Sequence, residues 1–423
     1  MGFWASTSIV VGNMIGAGIF LLPASLAAYG GIGIVGWIFA SIGAMLLSYM
    51  FGALSTMSPD TIGGPYVYAR LGLGDFAAFL VAWGYWVAVW ATNAAIAVAL
   101  VGYLEVFFPI LGTSPFLSIC TGLGFIWLFS WINSKPLKTV AFVQLLTTIL
   151  KVIPILLIGI VGIFFINWDH FSPFNLSDES TLSAITSTTT LTLFAFLGME
   201  SAGIVSANTK DAAKTVNRAT IIGTAITVVV YISSSIAIFG IIPPEELALS
   251  TAPFADAGQA FWGQSAKYIV AGCAVIATMG ALNGWILLQG RIPMAAAQDE
   301  LFPRIFGKTN RHGSPVIGII LSSILATGLM MLNYSKSLVD TFTFMIMLST
   351  LSCLIPYLFS AASLVLLIFD TGERRITPTI WLAAFSFIFC LWIIIGCGQE
   401  IVFYGFILLM VSVPFYVILK RKK

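Results

Sequence analysis

Charged residues are scarce in this chain, at 9% of 423 residues, against roughly 25% in an ordinary soluble domain. Hydrophobic residues make up 59%, and the mean hydropathy is +1.01. A chain with so little polar surface cannot cover a core against water. Soluble enzymes, nucleic-acid binders and secreted domains are excluded together. Histidine occurs only twice, as His170 and His312. Both fall in predicted loops, so no Ser/His or His/carboxylate constellation lies within an apolar segment, and no enzyme is expected. Cysteine occurs five times, an odd number with no CxxC spacing. Cys120, Cys273, Cys353, Cys390 and Cys397 are read as core thiols, with no disulfide, metal or cofactor expected.

What is present is long apolar runs. A helix needs about 20 apolar residues to cross the hydrocarbon of a bilayer. Windows of that size predict an all-α membrane protein of about twelve transmembrane helices. They lie near residues 3–29, 34–57, 75–108, 113–132, 138–166, 186–207, 217–241, 264–297, 315–333, 337–369, 378–398 and 400–419. The runs are continuous rather than alternating, which excludes a β-barrel. The first is too long for a signal peptide and lacks a charged leader.

Orientation follows from lysine and arginine. With a cytoplasmic N-terminus and alternating spans, 16 of the 19 basic residues fall inside, among them Arg70, Lys135, Arg218, Arg291, Arg304, Arg374 and the tail 420–423. Lys267 and Lys336 fall outside, and Lys151 lies within a span. Asp169, Asp178, Glu179, Glu245, Glu246 and Asp256 crowd the two longest outer loops. The positive-inside rule therefore places the chain in the cell (inner) membrane with both termini cytoplasmic.

Two spans carry clustered glycine. The first contains Gly12-Asn13-Met14-Ile15-Gly16-Ala17-Gly18, and the sixth contains Phe196-Leu197-Gly198-Met199-Glu200-Ser201-Ala202-Gly203. Such clusters serve close helix packing or backbone unwinding. Unwound backbone at bilayer depth is tolerated only where it lines a cavity. One break opens the first group of five spans and the other opens the second, so the second group has inverted topology, the pattern that marks a transporter's substrate site. The half-helix after the Gly16–Gly18 break aims free amides and a positive dipole end at a carboxylate. Carbonyls near Phe194–Leu197 can take an ammonium. Together they suit the two ends of an α-amino acid. Glu200 and Lys151 are ionisable groups inside spans, which makes each a functional candidate, with a structural carboxyl or ion pair as the alternative. Burial would favour Lys151 as a proton acceptor; as a fixed charge it could stand where a cation would otherwise bind. Asn93, beside Thr92, forms a polar notch that could contact a ligand or join two helices. Tyr85, Trp86, Trp90, Phe194, Trp285 and Tyr357 are aromatic candidates for packing or gating.

The runs Val11–Pro23, Gly63-Gly64-Pro65-Tyr66-Val67-Tyr68-Ala69-Arg70 and Phe194–Ala202 resemble the amino acid–polyamine–organocation superfamily. Ser250–Phe254, Gly284-Trp285 and Ile355-Pro356-Tyr357 extend the resemblance nearly end to end. The chain is most similar to the basic amino acid/polyamine antiporter family. The resemblance implies a LeuT-like fold with broken helices 1 and 6. It divides the chain into a five-plus-five inverted repeat (1–166 and 186–369), two C-terminal helices (378–419) and a basic tail (420–423). It implies alternating access, with substrate bound by Ile15, Gly16, Ala17, Gly18, Asn93, Phe194, Leu197, Trp285 and Ser349. Gating falls to Tyr85, Phe194, Glu200, Trp285 and Tyr357, and coupling to Lys151 and Glu200. The arginine/agmatine antiporter has a serine at the Ala17 position, a tryptophan at Phe194 and an apolar residue at Lys151. A lysine at the Lys151 position instead resembles sodium-independent amino-acid exchangers. The expected function is a sodium-independent amino-acid antiporter. The alternatives are an arginine/agmatine- or polyamine-type antiporter and a proton-coupled symporter. A channel lacks its ring of repeated polar groups, and a nutrient sensor lacks an appended soluble domain. The expected partners are the amino acid or amine substrate, the bilayer and, by analogy, a second copy in a homodimer, with no nucleic acid.

Overall fold

The computed structural model describes residues 2–57, 64–135, 155–204, 211–333, 335–370 and 377–421, without the side chains of Ala5, Ala17, Ile204 and Ala212. Every regular element among them is helical. Among the described residues, ten helices are long and apolar enough to cross a membrane. Two shorter apolar helices, Ile155–Phe165 and Val316–Leu332, fall at the fifth and ninth expected spans. Most of the fifth expected span, residues 138–154 with Lys151, lies outside the described residues.

The elements that build the site are α1 (Phe3–Met14), α2 (Ala17–Ala27), α3 (Ile32–Met57), α4 (Pro65–Leu73), α5 (Asp75–Glu105) and α6 (Pro115–Asn133). They continue with α7 (Thr181–Leu193), α8 (Ser201–Ile204), α9 (Ala212–Ile241), α10 (Pro253–Trp262) and α11 (Gln264–Gln298). The last are α12 (Val316–Leu332), α13 (Leu338–Asp370), α14 (Pro378–Gly396), α15 (Gln399–Met410) and α16 (Ser412–Arg421). Local chemistry sets several ends differently from the apolar windows. Helix α7 starts at Thr181, before the apolar run, because Ser180 Oγ caps the amide of Ser183. The last span divides at Val411, where Pro414 has no N–H to offer the carbonyl of Met410.

Helix α5 is apolar all round and buried on nearly every face, as expected of a central helix. Its most extensive neighbours are α13 and α11. Around this centre α3 packs on α7 and α9, and α1 packs on α9. Helices α6 and α14 to α16 are peripheral and turn large apolar side chains outward, including Trp381, Ile395 and Phe403. Such faces are at home in lipid. The cysteines divide accordingly: Cys353, Cys390 and Cys397 are buried, but Cys120 is exposed on α6 and Cys273 is half-buried. The expectation of five core thiols therefore fails at Cys120, whose helix lies at the edge of the bundle.

One polar cluster ties distant parts of the chain together at the N-terminal end of α5. Arg70 Nε pairs with Asp75 at 3.1 Å, and its Nη1 lies 3.7 Å from Asp299 just beyond α11. Lys420 Nζ reaches Asp75 at 2.7 Å. Tyr66 Oη donates to Asp299 at 2.9 Å, and burial followed by the Asp299 carboxylate holds this phenol well above its ordinary range. Tyr66 therefore remains a donor at any physiological pH. The cluster puts α4, the start of α5, the end of α11 and the end of α16 at one end of the bundle.

Candidate substrate site

The first break lies between Met14 and Ala17. Helix α1 ends with Ile15 at φ −72°, ψ 88°, and Gly16 is extended at φ −134°, ψ −150°. Helix α2 begins at Ala17, so Gly18 sits inside its first turn rather than before it. No side chain caps α2, so its first amides are available to an anion. A Cβ on Gly16 would lie 3.1 Å from Ala281 of α11, and one on Gly18 would lie 3.2 Å from the Cα of Ala195. The glycines are therefore the residues that let α2, α11 and the second break approach one another.

The second break follows α7. Phe194–Phe196 form one 3-10 turn, Leu197 is extended, and Gly198 takes φ +98° before α8 begins. That positive φ favours glycine, and a Cβ there would lie 3.2 Å from Asn13. Both breaks are tied to one side chain. Tyr231 of α9 directs its hydroxyl at Met14 O (2.6 Å) and at Ala195 O (3.1 Å).

Between the breaks lies a narrow cavity of about 10 Å³, lined by Asn13, Met14, Gly16, Gly18, Thr92, Ile96, Phe194, Ala195, Leu197 and Trp285, so its walls lie nearly in contact, with room for about one water. A wider cleft of about 320 Å³ opens at the other end of α5, beside Glu105, Asn333 and Lys336. It holds no broken helix, and the backbone chemistry belongs to the narrow cavity. Five of the expected binding residues border that cavity: Gly16, Gly18, Phe194, Leu197 and Trp285. Ile15 is fully buried at the break itself. Asn93 and Ser349 do not line the cavity. Ser349 Oγ pairs with Thr92 Oγ1 at 2.6 Å and donates to Ala88 O at 3.0 Å, so it reaches the cavity only through Thr92. Asn93 Nδ2 donates to Gln289 at 2.7 Å. Of Ala17 the backbone alone is described.

The cavity is shut at both ends. At one end Glu200, just past the second break, joins two long helices. It accepts from Tyr357 Oη of α13 on Oε2 at 2.7 Å and from Tyr85 Oη of α5 on Oε1. All three are at least 97% buried, and Phe51 packs edge-on against Tyr357. Two donors matched to two acceptor oxygens suit a carboxylate. At the other end Tyr103 Oη donates to Phe20 O at 2.8 Å and accepts from Phe254 N at 3.3 Å, and Phe20 packs on both rings. Helix α5 is the ruler. Tyr85 and Thr92 are seven residues apart, as are Ile96 and Tyr103, or about 10 Å each at 1.5 Å per residue. The closed ends thus lie about 10 Å along α5 from the cavity-lining Thr92 and Ile96. Phe194 lies against Gly18 and meets Phe342 edge-on, which places it between the cavity and the Tyr103 end.

Three residues of this arrangement are not among the site residues expected from the sequence, Asn13 being named there only as part of the glycine cluster. Asn13 lines the cavity, Tyr231 joins the two breaks, and Gln289 holds Asn93. Each is a polar side chain inside an apolar span, and that signal alone makes a candidate.

The comparisons agree with this architecture. The amino acid permease family model matches residues 1–417. A putative arginine/ornithine antiporter of Bacillus subtilis is 34% identical, covering 85% of this chain and 82% of the relative. A cadaverine/lysine antiporter of Escherichia coli K12 is 31% identical over 98% of this chain and 94% of its own. An arginine/agmatine antiporter of Chlamydia felis is 31% identical over 99% and 89%. With a family model spanning nearly its whole length, and two broken helices meeting at one closed cavity, the chain belongs to the amino acid permease family.

Proposed function

We propose that this protein is a sodium-independent amino-acid antiporter that works by alternating access. The observation that carries the reading is the meeting of two helix breaks at one cavity closed at both ends. The uncapped start of α2 offers amides to an α-carboxylate, and the unwound segment after α7 offers carbonyls to an α-amino group. Both contacts come from backbone, so they recognise what every amino acid shares. In this reading twelve spans form a five-plus-five inverted repeat, residues 1–166 and 186–369, followed by two further helices. Both termini lie in the cytoplasm of a bacterial-type cell membrane. The shared end of α4, α11 and α16 supports that topology, because it gathers Arg70 and Lys420 on one side. The Glu200 gate is then the inner one, and the Tyr103 contact closes the outer end. The relatives named above support exchange of an amino acid for an amino acid or amine. Lys151 would replace a coupling cation with its own ammonium, and a homodimer is the proposed assembly.

Exchange is tested in proteoliposomes loaded with a labelled mixture of lysine, ornithine, arginine, alanine and leucine. Adding the same unlabelled amino acids, or the diamines cadaverine and putrescine, outside should speed release at least tenfold. Choline in place of sodium should leave the rate unchanged. Release that ignores external substrate, or that requires sodium, would contradict the reading.

A further inference from the structure

Glu105 lies two residues beyond Tyr103 on α5, about 200° further round the helix at 3.6 residues per turn. Tyr103 faces the closed end of the narrow cavity, whereas Glu105 lines the wider cleft on the other side of α5. That cleft is walled by α5, the start of α6, the end of α12 and the start of α13, with Leu249 and Thr251 from the segment before α10. Its volume of about 320 Å³ is that of a site for a small molecule.

Glu105 and Lys336 are the charged side chains of its described lining. They do not pair with each other, and neither has an ion-pair partner among the described residues. The carboxyl group of Glu105 lies over Gly112, also in the lining, where a Cβ would collide with it. Glycine at that position therefore leaves room for the carboxylate at the cleft wall. Glu105 is half-buried, and its Oε2 is covered and accepts no hydrogen bond among the described residues. A covered carboxylate oxygen without a donor is costly, and an ammonium removes that cost. Lys336 is exposed at the mouth, with Nζ 4.8 Å from the centre of the Phe344 ring. Cation–π attraction steadies this ammonium and leaves its N–H groups free for an anion. Much of the remaining lining is apolar, with Val98, Val101, Leu111, Ile119, Met330 and Leu338.

We propose that this cleft is a second binding site, beside the transport path rather than in it, for a free α-amino acid with an apolar side chain. Glu105 takes the ammonium, Lys336 takes the carboxylate, and the apolar lining takes the side chain. The cleft reads the two charges with side chains, where the breaks read them with backbone. The inference goes beyond the antiporter reading and stands without it.

Leucine is the probe. Ile119→Cys puts a thiol on the cleft wall, in protein with Cys120 and Cys273 changed to alanine. A small thiol reagent should modify this cysteine in detergent, and leucine should slow the reaction at least tenfold. Adding Glu105→Gln or Lys336→Gln should each raise the half-protecting leucine concentration at least tenfold, while the KM for exchange stays within twofold. Isopentylamine and isocaproate, which are leucine without its carboxylate and without its ammonium, should each protect at least tenfold more weakly. Should Glu105→Gln fail to fold, Lys336→Gln carries the test, since Lys336 is exposed. No protection by leucine, protection that survives Lys336→Gln, or a KM that rises in step with the loss of protection would each overturn the assignment. A cysteine blocked without leucine in phosphatidylethanolamine bilayers, but reactive in phosphatidylcholine, would give the cleft to a lipid headgroup and overturn it too. Leucine protection in a protein that exchanges nothing would support the site and count against the antiporter reading alone.

Discussion

Replacing Glu200 with alanine should open the Tyr85–Tyr357 end of the cavity and cut coupled exchange by about a hundredfold. The carboxylate binds α5 and α13 to the second break. Its removal leaves the hydroxyls of Tyr85 and Tyr357 buried without their acceptor. Each such loss costs about 1–3 kcal/mol, and the pair is enough to move a two-state gate from mostly shut to mostly open. Glu200→Gln keeps the shape and one acceptor oxygen, and a tyrosine hydroxyl can turn to accept from the new amide. Its loss of exchange should be nearer tenfold. Cys353 offers a local reporter, since it lies one turn before Tyr357 on α13 and is 0% exposed. With Cys120 and Cys273 changed to alanine, a small thiol reagent should leave Cys353 untouched in an otherwise wild-type protein. It should modify Cys353 at least tenfold faster in Glu200→Ala. Equal protection in both, with exchange intact, would remove Glu200 from the gate.

Tyr231→Phe should raise the substrate KM by about tenfold to a hundredfold while leaving the fold intact. The ring stays packed against Trp37 and Phe196, so little apolar contact is lost. What disappears is the hydroxyl that reaches the carbonyls of Met14 and Ala195. Met14 ends α1 and Ala195 lies in the 3-10 turn after α7, so the hydroxyl sets the spacing of the two unwound segments. Losing a hydrogen bond to a buried carbonyl costs about 1–3 kcal/mol, here at the position where a ligand must bridge the breaks. The check is a KM-against-kcat comparison together with the melting temperature in detergent. A drop in melting temperature with unchanged KM would make Tyr231 a packing residue only.

Much of this was legible in the sequence because the solvent is lipid. Twenty apolar residues in a row have few fates, and glycine clusters inside two of them stand out against that background. The break positions and the candidacy of Glu200 follow from residue type and spacing, whereas its gating part and the site places of Phe194 and Trp285 are implied by the family resemblance. The rest depends on contacts between helices far apart in sequence. Nothing around Tyr231 announces that its hydroxyl falls beside Met14 and Ala195. Ser349 fitted the family motif, yet its hydroxyl is taken up by Thr92 and Ala88. Gln289 reads as one polar residue among apolar neighbours, yet its amide is the group to which Asn93 donates. The placement of Gly18 inside α2 turned on a single residue, a resolution that glycine content cannot give.

The central claim is that the two unwound segments hold the α-carboxylate and the α-amino group of one amino acid. It is tested most directly by competition binding to the purified protein, using a transported amino acid, its methyl ester and its Nα-acetyl derivative. Each derivative removes one of the two charges and keeps the side chain. The account expects each to bind at least about tenfold more weakly than the parent. It also expects Gly18→Ala, whose methyl would press on Ala195 and Phe194 beside the first amides of α2, to shrink the penalty for the ester more than that for the acetyl derivative. Derivatives that bind as tightly as the parent would show that the breaks do not read the two ends of an amino acid.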